Sequence, residues 1–184
     1  MTKGLVFSLF LLIGFATITF GEDLLTGTPK LACEAILCLS SGTRPGECSP
    51  SLNAYFGINY KYWSDTVRAR RNFLSQCPTV SSSNDQQMST LITAISNGAG
   101  RCDAAFLNQY LRMNFFKNGP DAIDNKLPNY CKIYSDHEYT DYSKPVYIGT
   151  PECGGHWVDA QDYESELAKY KASNHCHPYM TRWN

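Results

Sequence analysis

The chain has 184 residues with 16 basic and 17 acidic side chains, which gives a formal net charge of −1. Proteins that bind nucleic acid as their main activity carry a clear excess of Lys and Arg, so this composition argues against that class. The charge is uneven, because residues 22–117 contain nine basic and seven acidic side chains whereas residues 118–184 contain six and ten. Neither part is basic enough to change that conclusion.

The N-terminus has the three parts of a secretory signal. Lys3 provides the positive charge, residues 5–20 form an apolar run, and Gly21 is a small residue of the kind that signal peptidase accepts. We therefore predict a signal peptide over residues 1–21 and one exported domain over residues 22–184. The alternative is an uncleaved membrane anchor, which the run suits less well because it is short and contains helix-weakening residues.

All eight cysteines follow the predicted cleavage site, and they predict a disulfide framework. Disulfides persist only in an oxidising compartment, and an even cysteine count in an exported chain is typical of structural bridges. Three or four bridges are expected, but eight cysteines allow 105 pairings, so the connectivity stays open. The scattered histidines predict no metal site, and the lack of a Cys-x-x-Cys motif disfavours redox catalysis. The cysteines are Cys33, Cys38, Cys48, Cys77, Cys102, Cys131, Cys153 and Cys176.

Capping residues, prolines and glycines predict three short helices in the first half of the predicted domain. They cover residues 31–39, 49–56 and 64–76, and Pro78 prevents the third from continuing. Residues 79–87 are rich in serine and are predicted to form a loop.

The pairing of two cysteines follows in part from these helices. Cys33 and Cys38 are five residues apart on the first helix, so they point in different directions and do not easily bridge each other. Cys48 follows a glycine-bounded turn after that helix, which places it where it could return to Cys38.

The next two predicted helices are marked by the spacing of apolar residues. The fourth has the clearest helical period, carried by Met88, Leu91, Ile92 and Ile95. The fifth is expected to begin at the cap Asp103 and to end near residues 118–120. Its expected apolar stripe consists of Phe106, Leu107, Tyr110 and Leu111.

The C-terminal part is rich in tyrosine and has a different pattern. Residues 145–148 and 156–158 predict two short strands, and the Gly- and Pro-rich segment between them predicts a hairpin. An isolated hairpin is marginally stable in water, so Trp157 is expected to anchor it on the helices. A last helix is expected over residues 160–173, with Tyr163, Leu167 and Tyr170 on its buried face. The predicted fold class is mainly α, with about six short helices, a small C-terminal β-hairpin and a disulfide-stapled single domain.

Three segments of the sequence carry a family resemblance. They are LACEAILCLS at 31–40 with CSPSL at 48–52, RARRNFL at 68–74 with Cys77-Pro78, and GTPE at 149–152 with Gly154-Gly155 and Trp157-Val158. Together these segments resemble the TrbM/KikA/MpfK family of conjugal transfer proteins. They occur in the family's order and span most of the predicted domain. Cys153 and Cys176 are extra to the usual pattern of that family, and we hypothesise that these two cysteines pair with each other.

The resemblance implies a product encoded with a plasmid conjugation system and a periplasmic role near the mating-pair-formation, type IV secretion apparatus. We therefore expect an accessory or interaction component whose partners are other envelope proteins, with a homo-oligomer left open. The family brings no catalytic residues, so no enzymatic activity, cofactor, small-molecule substrate or nucleic-acid ligand is expected. One family name carries a host-killing label, which keeps an envelope-acting effector, such as a peptidoglycan hydrolase or a toxic factor, as the alternative.

One candidate binding surface comes from the basic residues of the third helix. Arg68, Arg70 and Arg71 are expected to lie largely on the side opposite its apolar residues. Such a face is usually just solvated, but it could dock an acidic partner or anionic headgroups. Glu34 interrupts the apolar first helix and is expected to be exposed or to pair with a residue such as Arg71.

Other possible sites have weaker support in the sequence. Asp136-His137-Glu138 places acids beside an imidazole, but neighbouring residues of an extended segment point in opposite directions. The pair His175 and His177 could hold a metal in the tail. A glycan hydrolase would need two carboxylates across a cleft, for which the candidates are Glu152 and Asp159 beside the hairpin, or Glu34 if it lies in a cleft.

Overall fold

The computed structural model describes residues 25–81, 85–113 and 122–173. The predicted signal peptide and the tail with Cys176 and the two histidines lie outside these residues. The described chain is mostly helical and has two small antiparallel sheets, which confirms the predicted fold class. Within it, no helix combines the length and apolar character needed to cross a bilayer.

Eight α-helices and four short strands lie in the described residues. The helices are α1 (Gly27–Ser40), α2 (Ser49–Gly57), α3 (Trp63–Leu74), α4 (Pro78–Ser81), α5 (Gln86–Gly98), α6 (Ala104–Tyr110), α7 (Asn129–Ser135) and α8 (Tyr163–Ala172). The strands are β1 (Arg112–Met113), β2 (Ala122–Ile123), β3 (Val146–Ile148) and β4 (His156–Val158). Strand β1 pairs with β2, and β3 pairs with β4.

The core lies where α1 and α5 meet their neighbours. Helix α1 packs on α2, α3 and α5, and α5 packs on α3 and α7. The predicted period of α5 is confirmed, because Leu91, Ile92 and Ile95 are all buried. Burial of each such side chain contributes about 1.5–3 kcal/mol. Asp85 begins the helix by accepting a hydrogen bond from the Gln87 amide at 2.8 Å.

The disulfides join the helices of this core. One bridge ties α1 to the residue before α4, a second ties α1 to the turn before α2, and a third ties the start of α6 to α7. The expected return of Cys48 to Cys38 is therefore confirmed. Cys153 is disulfide-bonded as well, and its hypothesised partner Cys176 lies outside the described residues. The three bridges are Cys33–Cys77, Cys38–Cys48 and Cys102–Cys131.

The hairpin docks on α6 through Trp157, as the sequence predicts. The Trp157 amide donates to the Asn108 side-chain oxygen at 2.7 Å, and the Asn108 side-chain nitrogen donates to the Trp157 carbonyl at 2.8 Å. The Trp157 indole is buried and donates to the Asp124 carbonyl at 2.9 Å. The side chain of Asn108 thus satisfies a strand edge that has no further strand beside it.

Helix α7 was not predicted from the sequence. Its buried residues, Cys131 and Tyr134, are three positions apart and face α5. The close approach depends on Gly98, because a Cβ atom there would lie 2.7 Å from the Tyr134 Cβ. The single buried pair and the surrounding tyrosines gave no long helical period.

Three element boundaries differ from the predictions. The expected loop over 79–87 is partly helical, because Pro78 opens α4 and α5 begins at Gln86. Helix α6 ends at Tyr110, which is exposed, and the next residues enter β1. The expected end at 118–120 lies outside the described residues.

The last helix is also less deeply buried than the sequence predicts. Within α8, Tyr163, Leu167 and Tyr170 are only half-buried. The helix packs on β3 at the edge of the domain, so one side of a short hairpin covers its apolar residues.

Candidate functional site

The three arginines predicted as one basic face do not share a face of α3. Arg68 and Arg71 are exposed, whereas Arg70 is only 7% exposed. Arg70 follows the same helical stripe as Thr66 and Phe73, which are buried at i−4 and i+3. The prediction was wrong for Arg70 because a shift of two residues turns a helical side chain to nearly the opposite side.

The Arg70 guanidinium lies among three aromatic rings. Its central carbon is 4.8 Å from the ring centre of Tyr55 and 5.4 Å from those of Phe56 and Trp63. Its Nε donates to the Ile58 carbonyl at 3.1 Å. The positive charge is therefore held by cation–π contacts, each of which contributes about 0.5–2 kcal/mol depending on burial.

A second arginine, Arg101, lies against the same tryptophan. Its guanidinium carbon is 4.4 Å from the ring centre of Trp63 and 4.5 Å from that of Tyr130. Phe106 and Tyr110 are each 5.5 Å away. Arg101 was not predicted as a site residue from the sequence. Its one local signal is its position between Gly100 and a disulfide cysteine, which fixes the backbone on both sides.

Neither arginine has an acidic partner within the described part of the chain. The ion pairs there join other residues, and Arg101 makes no side-chain hydrogen bond to the described protein. Arg70 donates from Nε to the Ile58 carbonyl, and its side chain also has a hydrogen bond with the Tyr55 hydroxyl. Because a guanidinium carries five N–H donors, most donors of both arginines are left for another acceptor.

The two arginines line a cleft of about 330 Å³. Gly100, at its edge, has a φ of +77°, and a Cβ atom there would lie 2.8 Å from Phe56 Cε1. A side chain at position 100 would therefore be strained and would push on a wall of the cleft. The lining residues are Phe56, Asn59, Trp63, Arg70, Gly100, Arg101 and Phe106.

A second cleft, of about 260 Å³, involves another part of α3. Its charged residues are Arg68 and Asp65, whose side chains form an ion pair at 2.9 Å. Because that pair neutralises itself, this second cleft offers an incoming anion less than the cleft between Arg70 and Arg101 does.

Glu34 and Asp159, two of the acidic residues singled out in the sequence, have structural partners. Glu34 is paired as expected, but its partner is Lys30, one helical turn away at 3.7 Å, and not Arg71. Asp159 accepts a hydrogen bond from the Ala104 amide at 3.1 Å and thereby caps α6. One candidate carboxylate of a hydrolase is thus used to fix the hairpin against that helix.

The Asp136-His137-Glu138 segment is also engaged. Asp136 bonds the Lys144 ammonium at 2.9 Å, and this contact lowers the pKa of that carboxyl group. His137 Nδ1 accepts from the Tyr139 amide, so the other ring nitrogen of the neutral ring can donate to Thr90, 3.0 Å away. This arrangement fixes a turn against α5. Within the described residues, no group of three His, Cys, Asp or Glu side chains is placed to hold a metal ion.

Comparison with known proteins gives one finding. A family model described as TrbM matches residues 24–171, which is most of the chain and includes both α3 and the Arg101 turn. Comparisons with curated proteins and with solved structures give no match.

Proposed function

The chain belongs to the TrbM family of conjugal transfer proteins, and on that basis we propose that it is an exported accessory component of a plasmid conjugation apparatus. It acts in the periplasm of the donor cell, where it binds envelope proteins of the mating-pair-formation, type IV secretion machinery. The observation that carries this proposal is the family match over residues 24–171.

Two features of the chain support export as part of this proposal. The N-terminal residues have the order of charge, apolar run and small residue that signal peptidase accepts. The three disulfides whose cysteines both lie in the described residues hold the helices of the core, and they would be reduced in a cytosolic environment. Both features are consistent with a folded domain that forms its bridges in the periplasm.

Binding fits the described residues better than hydrolysis does. A glycoside hydrolase needs two carboxylates on either side of a cleft, one of them with a raised pKa. Of the two clefts lined by α3, one contains the single carboxylate Asp65, already paired with Arg68, and the other contains two arginines. Such clefts suit recognition of a partner more than acid–base chemistry.

A mating experiment tests the proposed function. Donor cells that lack the gene are complemented with the full chain or with residues 22–184 alone, which removes the predicted signal. We expect the full chain to restore plasmid transfer and the shortened chain to fail, since it would remain in the cytoplasm. Equal transfer with and without the gene would contradict a role in conjugation.

Crosslinking in conjugating donors identifies the partners. The tagged chain is crosslinked in the cell envelope and its partners are identified by mass spectrometry, with a donor lacking the conjugation apparatus as the matched control. Secretion-channel or pilus components, recovered only when the apparatus is present, are the expected result. Release of cell-wall fragments or growth arrest, with no such partner, would favour the effector alternative instead.

A further inference from the structure

We infer that the cleft between Arg70 and Arg101 binds a carboxylate carried by an acidic, partly apolar segment of a partner polypeptide. The inference deepens the proposed function and rests on it only for where that partner is found. The binding chemistry itself follows from the residues of the cleft.

Unused N–H donors are the first feature of the cleft. Arg70 is only 7% exposed, and its polar partners are the Ile58 carbonyl and the Tyr55 hydroxyl, which leaves further N–H groups of its guanidinium without an acceptor. Arg101 lines the same cleft, and its side chain has ring contacts but no acceptor among the described residues. The two guanidinium groups line one cleft, have free N–H groups and lack a carboxylate partner there. They therefore form a site for an anion.

The cleft is also rigid. Aromatic rings lie within 4.4–5.4 Å of both guanidinium carbons, and this packing restricts the positions of the two side chains. The backbone beside Arg101 is fixed by the Cys102–Cys131 bridge and by the tight packing of Gly100 on Phe56. A site that is already ordered loses little conformational entropy when a ligand binds.

The lining of the cleft indicates which kind of anion it binds. The walls of the cleft include Phe56, Trp63 and Phe106, which offer apolar surface beside the charge. A polypeptide with an Asp or Glu next to an apolar residue uses both features, whereas a lone phosphate uses only the charge. A planar carboxylate also matches the planar edge of a guanidinium with two parallel hydrogen bonds.

A lipid surface fits less well. Charges that bind anionic headgroups generally project from an exposed basic patch, so that several reach the surface together. Here Arg70 is buried and Arg68 is paired with Asp65, which leaves no cluster of exposed arginines on α3. Because the two guanidinium groups lie within the cleft, they favour an extended partner polypeptide that inserts an acidic side chain.

Nuclear magnetic resonance titration of the disulfide-bonded chain tests the inference. The probe is the peptide acetyl-Leu-Asp-Leu-Glu-amide, and the control probe replaces both acids by their amides. We expect saturable shifts of the Trp63 indole and Arg101 guanidinium signals with the acidic peptide alone. Arg101→Gln should weaken binding at least about tenfold, as expected for loss of a charge-assisted hydrogen bond.

Matched variants separate this site from general electrostatics. Arg71→Gln removes the same charge from an exposed position of α3 and should change affinity by less than about twofold. Arg101→Lys retains the charge but not the planar fork, so binding should weaken with the fold intact. It carries the test if Arg101→Gln does not fold, which circular dichroism would show.

Three outcomes would overturn the inference. They are equal shifts with the acidic and the amide peptide, equal losses in the Arg71 and Arg101 variants, and stronger Arg101-dependent binding to phosphatidylglycerol vesicles than to the peptide. The mating experiment remains independent of all three. If the peptide does not bind but transfer needs the gene, the inference fails alone; if the peptide binds but transfer does not need the gene, the proposed function fails alone.

Discussion

Helices α1–α3 and the tyrosine-rich region over residues 122–173 are attached to the core in different ways. Two disulfides hold α1, one to the turn before α2 and one to Cys77, which lies between α3 and α4. The tyrosine-rich region has one bridge to the start of α6, and its Cys153 is also disulfide-bonded. Two of its tyrosine hydroxyls also donate to backbone carbonyls outside the region, from Tyr134 to Leu39 and from Tyr142 to Cys102.

The difference gives the two regions different sensitivities. A disulfide stabilises by restricting the unfolded chain and is lost on reduction. A buried tyrosine hydroxyl needs an acceptor, and it donates only while it is protonated. Reductant should therefore remove two bridges from the first region and the Cys102–Cys131 bridge from the second. Alkaline pH should act mainly on the second region, through Tyr134 and Tyr142, because the first has one such hydroxyl, that of Tyr55, which donates to the Ile95 carbonyl. The following predictions test that contrast.

The largest effect is expected from the bridge that closes the longest loop. Cys33 and Cys77 are separated by 44 residues and Cys38 and Cys48 by 10. Loop-closure entropy predicts a loss of about 4 kcal/mol for the Cys33→Ala/Cys77→Ala variant and about 3 kcal/mol for Cys38→Ala/Cys48→Ala. Urea unfolding of the oxidised proteins measures both. The reverse order would show that native-state effects, rather than chain entropy, determine how these bridges stabilise.

The next effect is alkaline destabilisation of the tyrosine-rich region. Burial raises the pKa of Tyr134 to about 12, and burial also raises the pKa of Tyr142. A folded-state pKa above the unfolded value of about 10 means that the native state retains the proton longer. This contribution is fully present below about pH 10 and is lost as the pH rises toward 12, by up to about 1.4 kcal/mol per pH unit for one group.

Unfolding free energies between pH 8 and pH 11.5 measure this effect. The matched control is Tyr134→Phe, which cannot ionise at that position. At neutral pH it should cost about 1–3 kcal/mol, because the Leu39 carbonyl loses its partner. Its stability should then fall less steeply with pH than that of the parent chain. Parallel curves for both proteins would show that Tyr134 is not the group responsible.

The same contrast explains how much of the fold the sequence predicts. Helix α5 was found because Leu91, Ile92 and Ile95 bury one face of a long helix, so burial produces a readable period. Helix α7 was missed because only Cys131 and Tyr134 are buried and their contacts lie far along the chain. Long-range bonds from single side chains leave no local pattern.

The candidate site shows a related limit of prediction from the sequence. Arg70 was expected on a solvated basic face because charged side chains are rarely buried. Its burial depends on Tyr55 and Phe56 of α2 and on Trp63 at the start of α3. Arg101 joins them from yet another segment. Only the packing of α2, α3 and the turn after α5 brings these residues together.

A smaller effect is expected where the tyrosine-rich region contacts α6. Asp159, at the end of β4, caps α6 through the Ala104 amide. Asp159→Ala should lower the unfolding free energy by about 1 kcal/mol, as removal of a helix cap does. Asp159→Asn retains an oxygen acceptor and should lose less than half of that. If both variants are equally unstable, the charge of Asp159 rather than its hydrogen bond holds the hairpin.

The smallest effect is expected at Arg68, where the predicted basic face and the observed structure can be compared directly. Its side chain is 73% exposed, and its ion pair with Asp65 spans one turn of the same helix. Such pairs contribute less than about 0.5 kcal/mol and weaken with salt, so Arg68→Ala should leave urea unfolding almost unchanged. Arg70→Ala, two positions later, should cost several times more, because it empties a space among three rings and removes the donor to the Ile58 carbonyl. Equal costs for the two variants would mean that Arg70 is solvated like its neighbour. The cleft would then lack the buried charge on which its binding chemistry depends.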